Sequence, residues 1–217
     1  MSDSYLTIAL SEDEMNKCKE FSLKSAMTQQ AVEFGQKNTK PRDTKEIARD
    51  NMIGKMAEVA VNKMLRRDFG IHYPVNFDIY GRGEWDDCDV QIRSWSIDIK
   101  STRVGRWLLI ELNKLRMRQR QSIDNIPDAI FMCRTRWDME KDEPTGSVEL
   151  IGCTSINNLV KNGTRIKRGS LLPNTHVKMM ADNFGIRIDE LNHDWEQIIS
   201  HMLASNPPQH YLIPNSF

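Results

Sequence analysis

Long apolar runs are missing from this chain of 217 residues: none approaches the ~18 consecutive apolar residues that a membrane-spanning helix requires. Paired cysteines are missing as well. Cys18, Cys88, Cys133 and Cys153 stand far apart without the CxxC spacing of zinc sites and redox motifs, so we expect free thiols in a reducing compartment. Net charge is absent, because 30 basic residues balance 30 acidic ones, and bulk electrostatics give no argument for a polyanionic partner. His72, His176, His193, His201 and His210 show no HxxxH ligand spacing, and the chain has neither a Gly-rich phosphate loop nor a GxSxG elbow. These absences argue against a zincin, an NTPase and a serine hydrolase. The stretch Met1 to Leu10 is too short and too polar for a signal peptide, and we expect a cytoplasmic protein with no membrane partner.

What remains is a composition of 39% hydrophobic and 28% charged residues, ordinary for a globular chain able to bury one real core. The strand-like Tyr5 to Leu10 precedes a helix from Ser11, whose spacing to Glu14 is a capping box, to about Phe34. A linker spans Gly35 to Asp43. A second helix is predicted from Asp43 or Thr44 to about Arg67, with Ile47, Ile53, Met56, Ala60 and Met64 on its apolar side and Gly70 as its stop. The apolar period then falls from about 3.6 to 2. Strands are expected at Val75 to Tyr80, Cys88 to Arg93, Ser96 to Thr102 and Trp107 to Leu112, as a β-meander. A basic helix over Asn113 to Ser122, strands at Ala129 to Arg136 and Ser147 to Cys153, and helices at Ser155 to Lys161 and Asp189 to Ala204 complete the pass, before an extended tail from Asn206. The expected organisation is a core over 44–155, an N-terminal strand and helix extension over 1–43 and a C-terminal helical extension over 156–217.

Chemistry concentrates in one hairpin. Cys88, Val90 and Ile92 alternate with Asp89, Gln91 and Arg93, and Ile97 and Ile99 alternate with Asp98 and Lys100, so each strand has one wet and one dry face. With a tight turn at Ser94 and Trp95, Val90 falls opposite Ile99, Ile92 opposite Ile97, Asp89 opposite Lys100 and Gln91 opposite Asp98. A one-residue slip would set carboxylates against isoleucines. Two carboxylates and an ammonium on one face suit phosphodiester hydrolysis with Mg2+, with Mn2+ as a substitute: hard cations take carboxylate oxygens, and the ion activates water and neutralises the phosphorane. Asp89 and Asp98 are the candidate ligands, the Ile99 carbonyl a third, and Lys100 the group that orients the attacking water. Gln91 is an outer partner. The same pattern is also that of a cross-strand salt bridge on a solvated face, worth less than ~1 kcal/mol.

Charge is unevenly placed around this hairpin. Glu84 to Asp89 holds four acids and no base, whereas Lys100 to Arg120 holds seven bases against Glu111 alone. Arg103, Arg106 and Lys114 are candidates for contacts to a nucleic-acid backbone, and Ser101 for a phosphate hydrogen bond. Arg116, Arg118 and Arg120 alternate, so they spread around the helix and cannot all face one ligand. Trp85, Trp95 and Trp107 could stack on bases or close a core.

The pattern Asp89, eight intervening residues, Asp98-Ile99-Lys100 resembles the signature of the PD-(D/E)xK nuclease superfamily, as does the order of elements, similar to its αβββαβ core. The resemblance spans about Thr44 to Arg136, together with the strand at Val148. It implies a restriction-endonuclease-like α/β fold with a mixed, mostly antiparallel central sheet flanked by helices, and a hydrolase acting as a metal-dependent DNA endonuclease. It also implies a metal-binding or catalytic Glu on the helix before the sheet, where Gly54-Lys55-Met56-Ala57-Glu58 offers Glu58. Cys88 stands where the family has Pro, and Asp98 where Glu is commoner; Asp87 shares the parity of Asp89 and is an alternative first ligand. Relatives that cut both strands are often homodimers, for which the helix from Glu12 is a candidate element. The rival expectation is a non-catalytic nucleic-acid-binding or assembly protein on the same fold.

Overall fold

The computed structural model describes residues 5–29, 43–79 and 88–214. The expected linker, Trp85, Asp87 and the far end of the first helix lie outside them. Strand β1 (Leu6–Ala9) leads into helix α1 (Glu12–Gln29). The capping box forms as the spacing predicts: the Ser11 amide donates to Glu14 Oε2 at 2.7 Å and the Glu14 amide to Ser11 Oγ at 3.3 Å. Helix α2 (Thr44–Phe69) starts with a second capping box, Asp43 with Glu46, and stops at Gly70, whose φ of 66° is the left-handed conformation glycine adopts without a Cβ penalty. Its five predicted core residues, Ile47, Ile53, Met56, Ala60 and Met64, are all buried.

Six strands follow: β2 (Val90–Ile92), β3 (Trp95–Thr102), β4 (Trp107–Glu111), β5 (Ala129–Asp138), β6 (Glu143–Ser155) and, after helices α3 (Leu112–Gln121) and α4 (Ile156–Asn162), β7 (Thr164–Ile166). Strand β8 (Asn183–Arg187) and helix α5 (Trp195–Ala204) precede the tail. Among the described residues these form a five-stranded sheet in the order β1-β6-β5-β3-β2 and a three-stranded sheet in the order β4-β8-β7. The central sheet is mixed, mostly antiparallel and flanked by helices. No described helix is long and apolar enough to cross a membrane.

The chain groups into two units. The first takes in Met1–Val90, Ile99–Val104 and Cys133–Leu150. Within it α1 packs on α2, and β1 runs antiparallel to β6, with Leu6 facing Leu150 and the buried Ile8 facing the buried Val148. Lys63 of α2 ties the corner between β1 and α1, donating to the Ala9 carbonyl and to Glu14 Oε2, both at 2.9 Å. The second unit takes in Gln91–Asp98, Gly105–Met132 and Ile151–Phe217. Here Leu108 faces Ile186 and Ile110 faces Phe184 across β4 and β8, while Trp107 and Leu109 pack on Ile166, Leu172 and Met179. A Cβ at Gly185, in the middle strand, would come within 2.8 Å of Ile166 Cδ1 and 3.0 Å of Leu109 Cδ2, so a larger residue there would have to displace these side-chain ends.

Four expectations are corrected. Strand β4 does not continue the meander: its run Trp107-Leu108-Leu109-Ile110 is apolar on both faces, and it pairs with β8 in the smaller sheet, with Leu108 and Ile110 buried on one face and Trp107 and Leu109 packed on the Ile166 cluster on the other. The described part of the expected strand at Val75 to Tyr80 is irregular, because side chains take its backbone groups: Lys55 Nζ donates to the Asn76 carbonyl at 2.7 Å and Asn76 Oδ1 accepts from the Asp78 amide at 2.8 Å. The hairpin turn is Arg93 and Ser94, not Ser94 and Trp95. Arg93 has φ 53°, and Trp95 is buried in β3 with its indole donating to the Ser205 carbonyl at 2.9 Å. A two-residue connection sets Ile92 against Trp95, two residues from the expected register, and a shift of two leaves every side chain on its expected face. Lastly, Asp189 to Ala204 is not one helix. A 3-10 turn at Ile188–Glu190 and a bridge between Asn192 and Cys153 come first, and α5 starts only after Asp194, which caps it.

The tail is extended and tightly held within the second unit. Asn157 donates to the Gln209 carbonyl and accepts from the Tyr211 amide, at 2.8 and 2.9 Å, and Ile213 donates to Gln119 Oε1 at 3.0 Å. His210 Nε2 lies 3.2 Å from Asp128 Oδ1, and Asp128 Oδ2 accepts from the Ser96 amide at 2.7 Å. All four cysteines are free. Cys18, Cys133 and Cys153 are buried, and burial raises their thiol pKa, for Cys18 and Cys153 to about 12. A raised pKa keeps these groups as unreactive thiols through pH 8. Ellman's reagent at pH 8 is expected to titrate one thiol quickly, the half-buried Cys88, and all four after unfolding in urea; fast reaction of three or more in the native protein would contradict this packing.

Candidate metal and phosphate site

Strand β3 carries Asp98, Ile99 and Lys100 in succession, and alternation sends Asp98 and Lys100 to one face. Their surroundings differ from the wet face that alternation predicts. Asp98 is buried at 8% exposure, whereas Lys100 is half-buried. A buried carboxylate requires a counter-charge or hydrogen bonds, and in the second unit the Arg118 guanidinium lies 3.8 Å from Asp98 Oδ1. Arg118 is thus the residue of the alternating arginine series that reaches the candidate site. Arg116, two residues earlier, donates through Nε to the Pro214 carbonyl at 2.9 Å, so the tail takes it.

In the first unit, Asp89 precedes β2 and its carboxylate reaches β3. The Ile99 amide donates to Asp89 Oδ2 at 2.6 Å, so the first acid of the motif sits against the residue between Asp98 and Lys100. Glu58 lies on α2 with its side chain 18% exposed, and Lys55, one turn before it, places Nζ 2.5 Å from Glu58 Oε2. Lys55 is itself buried. Its ammonium sits over the rings of Phe21 and Phe77, at 4.5 and 5.6 Å, and these rings meet edge to face at 6.0 Å. Two aromatic faces, a carboxylate and the Asn76 carbonyl together replace the water this ammonium loses. Sequence reading named Glu58 and passed over Lys55, although the i, i+3 spacing of the two was visible.

The other predicted residues divide. Ser101 Oγ lies 3.0 Å from Thr135 Oγ1, which donates to the Ile53 carbonyl at 3.2 Å, so this hydroxyl belongs to an internal chain. Arg103 meets Asp142 and the Trp137 ring. Arg106 and Lys114 are exposed. Trp95 and Trp107 close cores, as their contacts with Ser205 and with the Ile166 cluster show.

Among the described residues no group of three or more His, Cys, Asp or Glu side chains stands ready to hold a metal ion. No family model, curated protein or solved structure matches the chain. Lys55→Met is expected to lower unfolding free energy by roughly 3 kcal/mol, because it leaves Glu58 largely buried without its partner. Urea denaturation checks this, and an unchanged midpoint would remove Lys55 as the group that holds Glu58.

Proposed function

We propose that the protein is a Mg2+-dependent nuclease with a restriction-endonuclease-like core, acting on DNA as an endonuclease. The hydrogen bond from the Ile99 amide to Asp89 carries this reading, because it draws the first carboxylate of the motif to the peptide flanked by Asp98 and Lys100. Asp89, Asp98 and the Ile99 carbonyl are hard oxygen donors. Mg2+ is commonly held by one or two carboxylates, completing its shell with water and substrate phosphate, so a pair of acids fits it without a third side chain. When bound, the ion would lower the pKa of its water and offset charge on the phosphate.

The chain's own groups have separate roles in this reading. Lys100 orients the attacking water and balances charge developing on the phosphate oxygens. Arg118 offsets Asp98 before the ion arrives. Glu58, held by Lys55, is the additional carboxylate, and the exposed Arg106 and Lys114 contact the backbone of the substrate.

Supercoiled plasmid should be cut by the wild type with Mg2+ or Mn2+ and left intact with EDTA. Asp98→Ala and Lys100→Ala should each abolish cutting while the proteins stay folded by circular dichroism. Asp89→Ala should weaken metal binding by calorimetry. Wild-type protein that cuts nothing with either ion and binds neither would overturn the proposal and leave a non-catalytic nucleic-acid-binding protein as the reading.

A further inference from the structure

Asp142 stands at the tip of the β5–β6 hairpin with three cations around it, all within the first unit. Lys45 Nζ is 2.9 Å from Asp142 Oδ2, and Arg49 Nη1 and Arg103 Nη1 are each 3.9 Å from Asp142 Oδ1. The Trp137 indole donates to Oδ1 at 3.1 Å. Lys45 and Arg49 come from the first turns of α2, one helical turn apart, and Arg103 directly follows β3, three residues beyond Lys100. The Lys45 ammonium, and after it the Trp137 N–H, hold the Asp142 carboxyl below the usual carboxylate range, so the anion persists at neutral pH.

Donors outnumber acceptors here. One carboxylate serves two guanidiniums, an ammonium and an indole, and both guanidiniums stop short of hydrogen-bond distance from it. Arg49 Nε is buried and has no hydrogen-bond partner among the described residues. Arg103 lies over the Trp137 ring, its Cζ 5.5 Å from the ring centroid. Arg103 Nη1 also makes a weak contact to Met139 Sδ at 4.0 Å. The neighbouring Asp138 does not make up the deficit, because it accepts from the Glu140 and Lys141 amides and pairs with Lys141 at 3.7 Å. A closed structural ion-pair network would match its donors with acceptors; this one leaves a surplus suited to the two free oxygens of a phosphodiester. Asp142 also adopts φ 52°, uncommon for a residue with a side chain, and that conformation belongs to the turn that carries its carboxylate.

We propose that Lys45, Arg49 and Arg103 form a binding site for the phosphodiester backbone of a nucleic acid, in which the Asp142 carboxylate stands in the place of a phosphate. It rests on the nuclease reading for its choice of ligand, and it adds a backbone contact three residues from Lys100 and an internal anion that the substrate displaces.

The test is fluorescence anisotropy of end-labelled single-stranded and duplex DNA oligonucleotides across a salt series, with full-length protein in EDTA so that no cleavage occurs. Arg49→Ala with Arg103→Ala should weaken binding roughly tenfold or more at low salt and reduce the slope of log K against log salt by about two, one for each lost phosphate contact. Asp142→Asn should strengthen binding several-fold, an effect that loss of a merely structural ion pair would not produce. DNA should also change Trp emission in the wild type, and that change should shrink in Trp137→Phe. If the double alanine variant does not fold, Asp142→Asn decides. Unchanged or weaker binding by folded Asp142→Asn, or an unchanged salt slope in the double variant, overturns the site. Wild-type protein that binds these oligonucleotides as described but cuts no DNA with Mg2+ overturns the nuclease reading and leaves this site standing; cutting without these binding effects does the reverse.

Discussion

A side chain occupies a hydrogen-bonding place beside β3 that a longer β2 would otherwise supply from its main chain. Asp89 lies just before β2, and its carboxylate takes the Ile99 amide at 2.6 Å. Buried amides must be satisfied, and here satisfaction comes from a group that also carries charge. The hairpin's chemistry depends on this exchange: it fixes the Asp89 side chain against β3, and it makes the middle of the Asp98-Ile99-Lys100 segment a point where main chain and ionisable groups meet.

Two treatments of lysine and arginine show how the fold sorts its cations. Lys55 is enclosed by Phe21, Phe77, Glu58 and the Asn76 carbonyl, and every one of these contacts compensates lost hydration. Lys45, Arg49 and Arg103 share a single carboxylate and keep access to solvent. The first arrangement locks a helix face; the second keeps charge available to a ligand. Arg116 and Arg118 divide in the same way on α3, one bound to the tail and the other directed at Asp98.

Elements governed by local rules were legible in the sequence. Both capping boxes, the stop at Gly70 and the apolar stripe of α2 follow from spacings within a few residues, and all formed. The alternation around Asp98 gave the side-chain parity of β3 even though the turn sits one residue earlier than expected. What escaped was decided by distant partners. At Gly185, strand β8 runs close to the side chains of Ile166 and Leu109, distant in sequence, and β4 changed sheets because β8 was there to pair with it. The irregular 75–79 segment is strand-like in composition, but Lys55 and the Asn76 side chain take its backbone groups. At the site, the motif residues were visible, whereas Arg118 and Lys55 declared themselves only through the contacts they make.

The clasp between the hairpin and the tail also has a history in time. The Trp95 indole waits for the Ser205 carbonyl, 110 residues later in the chain, and Ser94 for the side chain of Asn206, 112 later. As the polypeptide leaves the ribosome, the first unit's helices can pair early, but the turn joining β2 to β3 gains these supports only after 110 further residues have been made. Closure over so long a loop is the kind of non-local step that slows folding. A nascent chain therefore carries the motif well before it carries the clasp, and the order of translation separates possession of the motif from completion of its support.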